Sequence, residues 1–256
     1  MFKLRDLRAP LAAKHVKMRE LIRQELGDAE PINWSAAATS YRAVPRARRH
    51  EALSFDPWAG DPALGMAFVE EGRELLKTSI EEARSFALLA RHVAGIVLAP
   101  CQDHRDPVWI EIGYDLVASS ATLLAEISLL EKNVEAAELW LAEAEHHLRA
   151  GTGDPYPAAA LLQIKALAAW SSGAVRRALA CLRLAARISA SVEDHCSAAL
   201  ACYRQGMLQR ELRHERRAAR AFHEVLRLLP KIEPEEGQRF LALLREAGIE
   251  VDSGGG

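Results

Sequence analysis

Small residues recur in this chain at a fixed spacing, and that recurrence restricts the fold more than any other feature. Between Leu200 and Pro230 the chain reads LACYRQGMLQRELRHERRAARAFHEVLRLLP, with Gly206 twelve residues before Ala218, Phe222 one helical turn later and Pro230 eight residues beyond. Glycine on one helix and alanine on the next let two axes approach closely, and an aromatic ring a turn away fills the gap that is left. Proline then ends the second helix. The stretch predicts two packed antiparallel helices. The spacing returns upstream, as Ala166 with Ala178, Leu182 and Ala185, and as Ala125 with Ala137, Leu141 and Ala144. From Ala137 to Ala178 is 41 residues, and Ala218 follows 40 later. Only 6% of the chain is aromatic while alanine and leucine abound, which suits stacked helices better than a sheet.

The Leu200 to Pro230 stretch resembles a tetratricopeptide repeat, and AEHHLRAGTGDPYPAAALLQIKALAAW looks like bacterial proteins of that family in which a GTGDP-like loop introduces the next hairpin. The family's minimal repeat is about 34 residues, so each unit here carries longer helices or linkers. The resemblance covers residues 106 to 230 and extends more weakly to 62 to 98; only the last unit has both the glycine and the proline. It implies an all-α fold, a right-handed α-solenoid of about four antiparallel hairpins, with an N-terminal helical arm and a C-terminal capping helix. It also implies a concave groove, lined by the first helix of each hairpin, that takes a peptide or helix of a partner protein. Ser119, Thr122 and Glu126, then Gln163 and Trp170, then Tyr203, Met207 and Arg210 are the positions that would line it. Ala125, Ala137, Ala166, Ala178, Gly206, Ala218, Phe222 and Pro230 are assigned to packing and termination of the repeats. Family members that clamp a C-terminal carboxylate use lysine and asparagine on these faces. Here the matching places hold threonine, glutamate, glutamine and tyrosine, which points to a mixed polar and aromatic groove instead. Trp170 and Met207 have an alternative as ordinary interhelix packing.

The rest of the chain is organised around this array. Residues 1–61 read as a basic arm: Pro10 opens an amphipathic helix with Leu11, Val16, Met18, Leu21, Ile22 and Leu26 near one side, Gly27 ends it, and a proline-punctuated linker with one short helix follows. The first 50 residues hold 11 lysines and arginines against 5 acidic residues, within a net charge of −2 for the whole. Either this is a solvated helix that contacts the acidic body, or it anchors an acidic partner or nucleic acid. Trp34, Tyr41 and Trp58 are expected to pin the arm to the repeats. The repeat domain spans 62–230, with hairpins at 63–77 and 80–98, 107–130 and 134–148, and 157–171 and 174–189, before the reference hairpin. Ser79 or Thr78 should cap the second of these helices. A capping helix within 231–250 should lay Phe240, Leu241, Leu243 and Leu244 over the last hairpin, leaving 251–256 as a flexible tail.

Chemistry is sparse. GTGDP is not a phosphate loop, and no nucleophile elbow or HExxH helix occurs. Glu143 and His146 have the spacing of a carboxylate-bridged metal site but only one copy is present. His195 with Cys196 and Cys202, and Cys101 with His104, lack the partners that a zinc site needs. The four cysteines form no CxxC pair, so reduced, buried thiols in a cytoplasmic protein are expected. No signal peptide and no membrane-spanning run of about 18 apolar residues are read. The sequence therefore predicts a non-enzymatic interaction scaffold without cofactor, metal or catalytic residues, binding a protein or peptide. Neither membrane nor nucleic acid is expected as a partner, and homo-oligomerisation stays open. The alternative is the sensor or adaptor module of a transcriptional regulator or nucleic-acid complex, working through the arm.

Overall fold

A computed structural model describes residues 33–99 and 107–249. The arm helix between Leu11 and Leu26, the Cys101 and His104 pair and the 251–256 tail lie outside the described residues. Among those described, every regular element is helical. Eleven α-helices follow in order: α1 Trp34–Ser40, α2 Arg49–Ser54, α3 Pro62–Leu75, α4 Ile80–Val97, α5 Pro107–Leu130, α6 Val134–Leu148, α7 Pro155–Ser171, α8 Val175–Ser191, α9 His195–Glu211, α10 Glu215–Leu228 and α11 Pro234–Glu246. Neighbours in sequence pack as pairs, α3 with α4, α5 with α6 and α9 with α10. The chain divides into two compact units, Met1–Pro157 and Ala158–Gly256.

One kind of turn is used repeatedly. Lys132, Gly153, Gly173, Glu193 and Arg213 all have left-handed backbones, with φ of 61°, 79°, 77°, 60° and 57°. They stand 20 or 21 residues apart. After four of them the next amide closes back on the preceding helix: Asn133 N–H to Ser128 O at 2.8 Å, Ala174 to Ala169 at 2.7 Å, Asp194 to Ser189 at 3.0 Å and His214 to Gln209 at 2.9 Å. This closure satisfies carbonyls that the helix end leaves orphaned. The closing residue is also the N-cap of the next helix, and the Asn133 and Asp194 side chains accept from the Ala136 and Ser197 amides at 3.0 and 2.9 Å. Only Gly173 of these four is the residue that left-handed geometry favours, so composition marks one turn and hides the other three.

In the first unit, Ser79 caps α4 by accepting from the Glu82 amide at 3.2 Å. Residues 33–61 do more than link. Ala38, Tyr41, Leu53 and Ala59 are buried in one core with Phe68 of α3 and Phe86 of α4. Arg49 holds them there: its guanidinium is 2% exposed, donates to the Tyr41 and Val44 carbonyls at 2.9 and 3.0 Å and to Ser85 Oγ at 3.0 Å, and pairs with Glu82 at 2.6 Å. Tyr41 sets its ring edge-on to Phe68 at 5.0 Å and donates to Asp56 at 2.7 Å; Trp34 meets Trp58 at 5.8 Å. Arg42, Arg46 and Arg48 also face glutamates, Glu71, Glu81 and Glu51. The described part of the basic segment thus finds its acidic partners within the chain.

α5 is buried along most of its length, with packing neighbours in α3, α4 and α6. By length and composition it is the one helix among the described residues that could cross a bilayer, and 67% of its apolar window is buried against the protein.

In the second unit the small-residue spacing does its work. Gly206 approaches Phe222 so closely that a β-carbon would lie 2.5 Å from the ring, and Ala218 is 2% exposed beside it. Ala166 and Ala178 share a core with Leu182. Ala125 and Ala137 in the first unit are fully buried. Pro230 sits in a single 3-10 turn, Leu229–Lys231, that ends α10. α11 then buries Phe240 and Leu244 in the core of the last hairpin, with Leu243 partly buried at its edge.

Candidate interaction face

The expected groove residues all lie on first helices of hairpins, and within each unit those helices touch. In the first unit α3 lies against α5. Gly72 makes this possible, because a β-carbon there would sit 2.7 Å from Leu123 of α5. Sequence reading passed over Gly72, although its eleven-residue distance from the buried Ala83 nearly repeats the pattern downstream. Ser119 and Thr122 are each 2% exposed, and Thr122 donates its hydroxyl to the Ala118 carbonyl at 2.7 Å. These two therefore offer no free group to a partner. Glu126, one turn on, is partly exposed and within electrostatic reach of Arg73 on α3.

In the second unit the first helices are joined by a ladder at the repeat distance. Gln163 of α7 accepts from Arg204 of α9 at 2.8 Å and donates to the Ser197 carbonyl at 3.4 Å. Trp170 donates to Glu211 at 3.0 Å. Tyr203 of α9 reaches the Leu243 carbonyl of α11 at 3.5 Å, and Arg210 donates to the Ala247 carbonyl at the end of α11. Apart from the Gln163 to Ser197 bond, which spans 34 residues, these links join residues 37 to 41 apart in sequence. α11 thus stands toward α9 as α9 stands toward α7. Gln163 is 5% exposed, so its amide is used inside the protein and not toward a ligand. Tyr203, Met207 and Arg210 do come together, with Arg210 3.5 Å from the Met207 sulfur and 6.0 Å from the Phe222 ring centre, but α11 lies against them.

Other polar groups have structural partners. Asp115 of α5 accepts from the Thr152 amide at 3.0 Å and from the Thr152 hydroxyl, which fastens the GTGDP loop; its other oxygen is buried without a partner. Burial raises the Asp115 pKa to about 6, against the lowering effect of the Thr152 hydrogen bonds. Glu143 pairs with Arg91, which also lies over Trp140 at 5.2 Å, and the histidine nearest Glu143 is His147, stacked on Tyr114 at 5.7 Å. Burial pushes the Cys196 thiol up and the Cys202 thiol to about 11, so neither is poised as a thiolate. Among the described residues no three histidines, cysteines or carboxylates gather as metal ligands. The sequence matches no family model and no curated protein at a significant level.

Proposed function

We propose that this chain is a non-enzymatic interaction scaffold, and that it holds a peptide or helix of a partner protein against the first helices of its hairpins. The observation that supports this reading is the way α11 rests on α9. An amphipathic helix is there held by two apolar anchors, Phe240 and Leu244, while Tyr203 and Arg210 donate to its backbone carbonyls. This is the physics of helix-in-groove recognition, in which spaced apolar side chains supply affinity and polar groups fix register. In the first unit the α3 and α5 pair carries Glu126 and Arg73 on the corresponding helices, partly exposed.

The test is hydrogen exchange on the full chain with a partner captured from its native lysate. Slowed exchange on α3 and α5 supports the reading. Protection confined to the second helices α4 and α6 contradicts it.

A further inference from the structure

We infer that α8 and α10, the second helices of the last two hairpins, form a docking surface for the phosphate backbone of a nucleic-acid duplex. Arg176, Arg183 and Arg187 on α8 and Arg216, Arg217 and Arg220 on α10 are the phosphate-binding residues. The surface is separate from the first helices α7 and α9, so it does not depend on the scaffold reading. Residues 158–256 hold 15 lysines and arginines against 11 acidic residues, in a chain whose net charge is −2. The excess is concentrated, since α8 carries four arginines and no acidic residue. With about 100° between successive residues, Arg176, Arg183 and Arg187 fall within about 40° of one another in a row roughly 16 Å long. All six arginines are exposed, and none makes an ion pair or hydrogen bond with a described residue. In the first unit, by contrast, Arg42, Arg46, Arg48 and Arg49 all face glutamates.

The basic row is repeated with the hairpin. Arg176 and Arg216, and Arg177 and Arg217, stand 40 residues apart, as do the buried Ala178 and Ala218. These alanines turn the same side of each helix to the core, and both helices pack on α9, so the arginines turn the same side of each outward. Like charges one turn apart, as at Arg183 with Arg187 and Arg216 with Arg220, destabilise a helix until an anion lies over them. The fold gains nothing from these pairs.

The character of the face selects the anion. A bilayer needs apolar anchors, but every large hydrophobic side chain that stands exposed among the described residues lies in the first unit. Between the arginines here are only alanines, exposed at 180, 190 and 219. A single strand needs aromatic rings on which bases stack, and the one ring of these helices outside histidine, Phe222, is buried. An acidic peptide is held through side chains set in pockets and loses chain entropy on binding. A duplex meets none of these demands: it is stiff, its phosphates are regularly spaced, and each matches the guanidinium fork. DNA and RNA share that chemistry.

The test titrates the full chain against a fluorescein-labelled duplex of mixed sequence, as DNA and as RNA, by anisotropy. Binding should weaken about a hundredfold between about 50 and about 200 mM salt. Replacing Arg176, Arg183 and Arg187 by glutamine should weaken it tenfold or more at the lower salt, and so should the same change at Arg216, Arg217 and Arg220. The lysine versions should keep most of the affinity, and their melting curves show whether the fold is intact. Arg48→Gln, Arg84→Gln and Arg149→Gln together remove the same charge from the first unit and should have little effect. Tighter binding of one duplex identifies the source, and equal binding assigns the backbone shared by both. Affinity unchanged in both glutamine triples places the binding elsewhere in the chain and overturns the inference. So does a loss as large in the first-unit triple, tighter binding of a single strand, of polyglutamate or of phosphatidylserine vesicles, or no binding of either duplex at the lower salt.

Discussion

Gly206 and Phe222 stand so close that the ring occupies the space a side chain at 206 would need: an added β-carbon would lie 2.5 Å from one ring carbon and 2.8 Å from two others. Gly206→Ala therefore sets two effects against each other. Alanine favours the helix by about 1 kcal/mol over glycine, but overpacking a tight core costs about 1–3 kcal/mol. The ring is 2% exposed and has little room to retreat. Destabilisation of about 1–2 kcal/mol in urea unfolding is expected, and Phe222→Leu in the Gly206→Ala background should recover part of it. A neutral or stabilising Gly206→Ala would mean that the two helices can separate without loss.

Asp115 gives the protein an unusual pH dependence. Its folded pKa of about 6 lies above the ordinary carboxylate value of 3.8, so the folded state holds this proton more tightly than the unfolded chain. The resulting stability is fully present below pH ~4 and is lost as pH rises through about 6, amounting to at most ~3 kcal/mol. Asp115→Asn keeps an acceptor for Thr152 without the buried charge. Its stability relative to wild type should climb between pH 5 and pH 8, as read by chemical denaturation. A constant difference across that range refutes the assignment.

Glu193 and Arg213 adopt left-handed backbones that cost a residue with a β-carbon about 1 kcal/mol, a strain glycine does not feel. Glu193→Gly and Arg213→Gly should each stabilise by about 0.5 kcal/mol after the entropy of glycine is deducted. The same change at His214, which caps α10 and has a negative φ, should not. Thermal melts of the three variants decide this; destabilisation at both left-handed sites would count against the turn geometry.

Arg210 ties α9 to the end of α11 by donating to the Ala247 carbonyl, where a positive charge also meets the negative end of the helix. Arg210→Ala should lower stability by about 1–2 kcal/mol and speed amide exchange in α11. Exchange in α3 and α4, in the other unit, should be unchanged. Uniform acceleration throughout would show that α11 does not open as a separate segment.

The sequence by itself determined the helical class, the hairpins and their ends. Helix boundaries for α5 and α6 fall at 107–130 and 134–148 as the periodicity predicts, because amphipathic spacing, the Asn133 cap and Pro107 act through neighbours in the chain. Alanine and glycine at forty-residue intervals likewise foretold close packing, since a missing side chain is legible without coordinates. The candidate face was legible only as a set of positions. That Thr122 turns its hydroxyl to its own helix, that Gln163 is held by Arg204, and that α11 covers Tyr203 and Arg210 depends on residues brought near by folding. So does the burial of Arg49 among the Tyr41 and Val44 carbonyls, Ser85 and Glu82. Local periodicity is a property of the backbone and needs only adjacent residues, whereas the state of a charge depends on which distant groups the packing sets beside it, and that only the tertiary structure decided.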